Sequence, residues 1–309
     1  MEISGKFKRV TGAALFLIML CISGYKIADK IYESSKTLVY RGVRSLDQKP
    51  VIIKTAKNQY PTPRDLAVFR KQYTLTKELE ILGVVRSYAL ETHDNQVALI
   101  LEDFGGISLR DYCKTHRLDL QAFFAIAIQT AQILGELHQN RIIHKDLKPA
   151  NLLINPATGQ IKITDFSIAS ILPKETQTLI SPMGLEGTLP YISPEQTGRM
   201  NRGIDYRSDF YSLGVTFYQL LTQQLPFDSN DPLELVHCHL AKQPISPAEI
   251  NPDIPQPVAA IVMKLMSKMA EDRYQSALGL QRDLERCQQQ FKLHGKIESF
   301  ALAQQDHCD

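Results

Sequence analysis

The chain has 309 residues, 44% of them apolar and 22% charged, with 35 Lys and Arg against 33 Asp and Glu for a net charge of +2. That length allows two lobes with sizeable cores, and the near-neutral balance lacks the basic excess of a nucleic-acid-binding protein. Five cysteines (Cys21, Cys113, Cys238, Cys287 and Cys308) form no C-x-x-C pair, which fits a reducing compartment and argues against a disulfide framework or a zinc ribbon. His237-Cys238-His239 resembles a metal cluster only superficially, because positions i and i+2 of a helix do not share a face.

Residues 1–24 stand apart. Lys6, Lys8 and Arg9 precede an apolar run over 10–22. As a helix that run rises about 20 Å, short of the roughly 30 Å hydrocarbon core of a bilayer. No A-x-A-like cleavage site follows, and Leu20 precedes Cys21 where a lipoprotein signal needs a small residue. The segment reads as a weak membrane anchor, as an unstructured or cleaved leader, or as the product of a start site placed too early.

From Tyr25 the pattern is strand-like. Ile27, Ile31 and Leu38-Val39-Tyr40 flank a polar turn at 32–37, a second turn spans 44–50, and Val51-Ile52-Ile53 ends in Lys54. This predicts an antiparallel meander. Thr62, Pro63 and Asp65 form a helix start with a capping box. The helix is expected to run to about Leu82, with Gly83 as its stop and Phe69, Gln72, Leu75 and Leu79 facing inward. Gln72 then needs partners for its amide. Two more strands follow, at 85–92 and 96–103, turning at His93-Asp94-Asn95, and Gly105-Gly106 reads as a hinge. Beyond it the chain is mainly helical. Ser108 starts a short helix and Asp119 a longer one, with Phe123, Ile126, Ala127, Ile133, Leu134 and Leu137 as its buried stripe.

The densest chemistry lies in His144-Lys145-Asp146-Leu147-Lys148-Pro149-Ala150-Asn151. Its D-x-K-x-x-N spacing suits phosphoryl transfer: Asp146 to orient and deprotonate a hydroxyl, Lys148 to neutralise the moving phosphate, and Asn151 to hold Mg2+. A hairpin of 152–154 with 161–164 then delivers Asp165 close to Asn151, a second oxygen ligand for the cation. Residues 168–187 form a polar loop carrying Thr176, Thr178, Ser181 and Gly184. Asp209 sits inside an apolar helix, which is costly unless it accepts backbone hydrogen bonds. Asp231 starts another helix, and two more are expected at 256–269 and 276–290. Arg273 lies between them, placed to pair with Glu195, and no clear packing pattern appears from 292 on. The fold class is therefore α+β and two-lobed: a small antiparallel sheet with one helix, then a larger helical lobe, with the cleft between them as the default ligand site.

These residues resemble the eukaryotic-like serine/threonine protein kinase family over 25–291. Lys54 in V-I-I-K resembles the strand lysine that holds nucleotide phosphates, and Leu101, Glu102, Asp103 and Phe104 resemble the gatekeeper and adenine-binding hinge. His144-Lys145-Asp146 stands for H-R-D, Asp165-Phe166-Ser167 for D-F-G, and Ser193-Pro194-Glu195 for A-P-E, while Lys148 and Thr188 resemble the serine/threonine branch. The segments L-E-D-F-G-G-I-S-L and Y-I-S-P-E-Q-T-G-R-M-N-R look like the N-terminal kinase module of large bacterial multidomain signalling kinases. The resemblance implies ATP and Mg2+ as cofactors, a protein substrate with Ser or Thr, signalling domains or proteins downstream, no nucleic-acid partner, and a cytoplasmic site of action with association at a membrane only through 1–24. It implies catalytic roles for Asp146, Lys148 and Lys54, nucleotide contacts from Lys54, Glu102, Phe104, Ser34, Thr37, Val39, Asn151 and Asp165, and metal ligation by Asn151 and Asp165. The implied domains are the leader 1–24, a kinase domain 25–291 divided into 25–104 and 105–291, and a tail 292–309.

Four positions depart from the family pattern. Tyr32, Ser34 and Thr37 stand where a glycine-rich loop is expected, so phosphate contacts are expected either to be longer or to come from the hydroxyls of Ser34, Ser35 and Thr37. Gln72 stands where a Glu pairs with the strand lysine. Lys145 replaces the Arg that grips a phosphorylated loop, and Lys cannot reproduce that fork. Ser167 replaces the Gly of D-F-G. Two functions remain open at this point: an active serine/threonine kinase, and a nucleotide-binding pseudokinase acting as scaffold or allosteric module.

Overall fold

The computed structural model describes residues 22–58, 60–93, 96–171 and 186–306. The apolar run before residue 22, the turn at Asp94-Asn95, and Thr176, Thr178, Ser181 and Gly184 lie outside the described residues. The chain divides into two compact units: the described residues up to Lys77 with Arg86–Asp103, and Glu78–Val85 with the residues from Phe104 onward.

The first unit is an antiparallel sheet of five strands in the order β1-β2-β3-β5-β4, with one helix. The strands are β1 (Tyr25–Glu33), β2 (Thr37–Arg44), β3 (Pro50–Ala56), β4 (Ser87–His93) and β5 (Gln96–Glu102). Alternation sorts the faces: Leu38, Tyr40, Val51, Ile53, Ala98 and Ile100 form one buried cluster. Lys54 lies in the body of β3, directly across from Val39 on β2 and Leu99 on β5.

Helix α1 (Pro63–Thr76) begins with the expected capping box, Thr62 and Asp65 bonding each other's backbone. It ends at Thr76, six residues short of the expected Leu82. The backbone of 83–85 is needed elsewhere: Val85 N donates to Ile163 O at 3.0 Å, and Ile163 N to Gly83 O at 2.7 Å. Leu82 is left exposed at 73%. Gly83 is a point of close approach, where a Cβ would fall 2.0 Å from Ile133 Cγ1. On the inward face Phe69 and Gln72 are buried as expected, but Thr76 takes the third place, its hydroxyl bonding Gln72 O and Ser87 Oγ.

The second unit is mainly helical. Its α-helices are α2 (Leu109–Thr115), α3 (Leu120–Gln139), α4 (Arg207–Thr222), α5 (Pro232–Ala241), α6 (Pro247–Ile250), α7 (Gln256–Leu265) and α8 (Ala277–His294). Ser108, Asp119 and Asp231 cap α2, α3 and α5 by accepting backbone N–H bonds. The buried stripe of α3 contains all six expected residues. Among the described residues α3 is the one helix long and apolar enough to cross a membrane, and here that apolar face packs against α8 and α4. Short strands β6 (Ile107–Ser108), β8 (Leu152–Ile154) and β9 (Ile161–Ile163) pair antiparallel, as do β7 (Ile142–Ile143) and β10 (Ser170–Ile171).

The tail, for which no packing was expected, is held by polar contacts. Asp306 accepts from Gln275 N (2.6 Å), Ser276 N (2.7 Å) and Ser276 Oγ (2.7 Å), just ahead of α8. Ala303 N donates to Asp283, and Phe300 lies against the Arg286 guanidinium. The approach needs a missing side chain, since a Cβ on Gly279 would fall 2.5 Å from Asp306 Oδ1.

Candidate active site

In the first unit the Lys54 stem is buried on β3, and its Nζ donates to Gln72 Oε1 at 3.1 Å. Gln72 thus occupies the expected acidic position and holds the amine through a neutral hydrogen bond. At the β1–β2 turn, Ser34 Oγ accepts from Lys36 N (3.2 Å) and Thr37 N (2.9 Å) and lies 2.9 Å from Thr37 Oγ1. The Ser34 and Thr37 hydroxyls therefore brace their own turn, and two amides that a glycine loop would offer to phosphate are directed inward. Val39 lies beside Lys54 in register. Glu102 N donates to Arg86 O, and Asp103 takes a two-pronged contact from Arg41 at 2.7 and 3.4 Å.

In the second unit the Phe104 carbonyl accepts from Asn155 Nδ2 at 2.6 Å, and its ring lies under Lys162. The catalytic-type loop follows β7 and is hung from Asp209. That buried carboxylate accepts from His144 N (2.9 Å), Lys145 N (2.7 Å) and His138 Nε2 (3.1 Å), which meets the expectation that it needs backbone donors. Lys145 takes a left-handed conformation (φ 66°), which lets its N–H reach Asp209 while its carbonyl accepts from Gln196 Nε2 at 2.9 Å. Its Nζ pairs with Glu186 at 3.7 Å. His144 Nδ1 accepts from Asp146 N, so its Nε2–H points at Thr164 O, 3.0 Å away.

Asp146 is the hub. Oδ2 accepts from Lys148 Nζ (2.6 Å) and Asn151 Nδ2 (3.0 Å), and Oδ1 accepts from Thr188 Oγ1 (2.7 Å). Lys148 Nζ also reaches Thr188 Oγ1. Asn151 gives a second bond from Nδ2 to Asp146 O at 2.8 Å, so both amide protons face Asp146 and Oδ1 faces away. Thr164 N donates to Asn151 O, which places Asp165 one residue from Asn151, as the hairpin predicted. Asp165 is left-handed (φ 66°), and Phe166 beside it is buried against the His144 ring. An amide oxygen and a carboxylate so placed suit Mg2+, which takes few protein oxygens and completes its shell with phosphate and water. Among the described residues there is no cluster of three His, Cys, Asp or Glu.

Behind the site, Arg273 and Glu195 pair at 2.6 and 2.9 Å, both fully buried. Arg273 spends its remaining N–H groups on the carbonyls of Ser267, Arg207 and Lys268. Burial alone would raise the Glu195 carboxyl, and Arg273 outweighs it and holds it below the ordinary range. Thr188, Gln196, His138 and Asn155 were not singled out as site residues from sequence. Each meets its partner across 40 or more positions (Thr188 and Asp146 are 42 apart, His138 and Asp209 are 71 apart), and no local spacing encodes that.

A sheet unit that holds a lysine by hydrogen bond, and a helical unit in which one loop carries the Asp146 carboxylate with Lys148 and Asn151, have the make-up of a phosphotransferase of the protein-kinase type. Residues 25–285 match the protein kinase domain family, and the chain belongs to it. It is 30% identical over 264 residues to a probable serine/threonine-protein kinase of Clostridium perfringens, covering 85% of this chain and 38% of that protein. It is 30% identical over 269 residues to the serine/threonine-protein kinase PrkC of Bacillus subtilis, covering 85% and 40%. To the serine/threonine-protein kinase PknB of Mycobacterium tuberculosis (strain H37Rv) it is 34% identical over 189 residues, covering 61% and 30%. The chain thus spans less than half the length of these curated relatives.

Proposed function

We propose that the chain transfers the γ-phosphate of ATP to a serine or threonine hydroxyl of a protein. The observation that carries this reading is the set of donors on Asp146. Lys148, Asn151 and Thr188 all donate to the carboxylate and fix its orientation, as the group that accepts a hydroxyl proton needs. Lys54 holds nucleotide phosphates, Lys148 stabilises charge on the transferring group, and Asn151 and Asp165 hold Mg2+. Val39, Glu102 and Phe104 contact the nucleotide; Ser34 and Thr37 shape the turn above it. Gln72 does not favour an inert scaffold, because Lys54 is still held.

The reaction runs in the cytoplasm, with 1–24 as an optional membrane tether, and downstream partners are signalling proteins. The test is transfer of radiolabelled phosphate from ATP to the protein itself and to dephosphorylated casein. Lys54→Met and Asp146→Ala are each expected to abolish transfer. A wild-type chain that binds ATP yet transfers nothing with Mg2+ or Mn2+ overturns the proposal. Fractionation of cells carrying the chain with and without 1–24 tests the tether, and recovery of both in the soluble fraction overturns it.

A further inference from the structure

Lys145 is a buried cation in the middle of the loop that carries Asp146, its side chain only 5% exposed. A buried ammonium is costly without opposite charge beside it. Glu186 supplies such a charge from the outer side: its carboxylate lies 3.7 Å from Lys145 Nζ, and its own side chain is half exposed.

The backbone that follows Glu186 runs against the same loop. Gly187 takes φ 113°, and a Cβ there would fall 3.4 Å from Lys145 O and 3.5 Å from Gln196 Nε2. Gln196 Nε2 is the donor to Lys145 O, and Gln196 Oε1 is held in turn by Ser193 N (3.1 Å) and Ser193 Oγ (2.9 Å). One residue further on, Thr188 Oγ1 donates to Asp146 Oδ1 and meets Lys148 Nζ. Three successive residues are therefore seated on the loop: Glu186 by charge, Gly187 by close approach and Thr188 by its hydroxyl. Beyond Thr188 the segment is fixed by Tyr191 N on Thr188 O and by Ser212 Oγ on Tyr191 O. On the other side of Thr188 stands the Glu186–Lys145 pair.

We propose that Glu186 is a positioning residue: its carboxylate, held on Lys145, seats Thr188 on Asp146 with an anion that the chain itself supplies, so that transfer to protein needs no phosphate on residues 172–185. The proposal rests on the kinase reading above. Its charge balance fits the two side chains present. A carboxylate carries one charge and is met by the point charge of a lysine, whereas a phosphate carries nearly two and is matched best by the fork of an arginine.

The test is a double-mutant cycle with dephosphorylated casein as acceptor. Glu186→Gln and Lys145→Met should each lower kcat/KM for casein by about threefold, the scale of a half-exposed ion pair, while the ATP KM stays at its wild-type value. The double variant should be no worse than the weaker of the two single variants, because both remove the same contact. An unchanged casein kcat/KM in Glu186→Gln, an ATP KM that moves with it, or additive losses in the double variant overturn the proposal. The hydroxyl residues of 172–185 are Thr176, Thr178 and Ser181. A chain combining Thr176→Ala, Thr178→Ala and Ser181→Ala should keep wild-type transfer to casein, and loss of transfer there overturns the self-supplied anion. Hydrogen exchange over 186–192 is a readout that needs no catalysis. It should be faster in Glu186→Gln than in wild type, with Tyr191 N, bonded to Thr188 O, as the reporting amide, and an unchanged rate overturns the seat. A wild-type chain that transfers no phosphate is a failure of the kinase reading, and the exchange rates then decide the role of the pair by themselves.

Discussion

Gln72 is one carboxylate oxygen short of its family counterpart, and its bond to Lys54 is the neutral version of an ion pair. Charged hydrogen bonds exceed neutral ones by about 1–2 kcal/mol. Gln72→Glu should therefore raise kcat/KM for ATP by up to about tenfold, measured at saturating acceptor. Activity arising from nothing in that variant, with Asp146→Ala silent in the parent, would instead mark a pseudokinase. Deeper in the second unit, Arg273→Ala leaves Glu195 buried without its cation. Such a loss costs about 3–5 kcal/mol, and urea unfolding should show it as a lower midpoint or as failure to fold. At this scale the sequence was most legible where chemistry is packed into neighbouring positions: Asp146, Lys148 and Asn151 share one loop, and a short hairpin brings Asp165 to them. The bonds of Thr188 to Asp146 and of Gln196 to Lys145 O were not legible, because they join distant segments.

Elements were legible where their ends carry local signals. Thr62, Ser108, Asp119 and Asp231 each start a helix because a short side chain accepts the first free amides. The end of α1 was not legible, since the competing partner of residues 83–85 is the backbone at Ile163. The C-terminal tail was missed for another reason. Apolar periodicity reports apolar packing, whereas this tail is held by one carboxylate on three donors. Asp306→Ala should lower stability by about 1–3 kcal/mol through loss of charge-assisted bonds at the start of α8. The check is the urea midpoint, with Asp306→Asn expected to fall between the two. An unchanged midpoint would mean that the tail is held by the Phe300 and Asp283 contacts instead.

Over the whole molecule, buried ionisable groups set how the fold answers to pH. His239 is held at about 3 against an ordinary 6.5, so below pH 6.5 the unfolded chain binds a proton that the folded chain refuses. Stability is unaffected by this group above that pH and falls as pH drops from 6.5 towards 3, at up to about 1.4 kcal/mol per pH unit. Glu195, held below its ordinary 4.5, contributes in the same direction, its stabilisation being lost as pH falls through the folded value. Thermal melts from pH 7.5 to pH 5 should therefore drop steeply, and His239→Gln should flatten the upper part of that curve. One feature of the loop bears on how such a protein evolves under heat. Lys145 and Asp165 both hold the backbone in a region that glycine adopts without strain and other residues do not. Selection for heat resistance alone would drift towards glycine at both positions, and the step at Asp165 would remove the carboxylate proposed to hold Mg2+, whereas the step at Lys145 would remove the amine that pairs with Glu186.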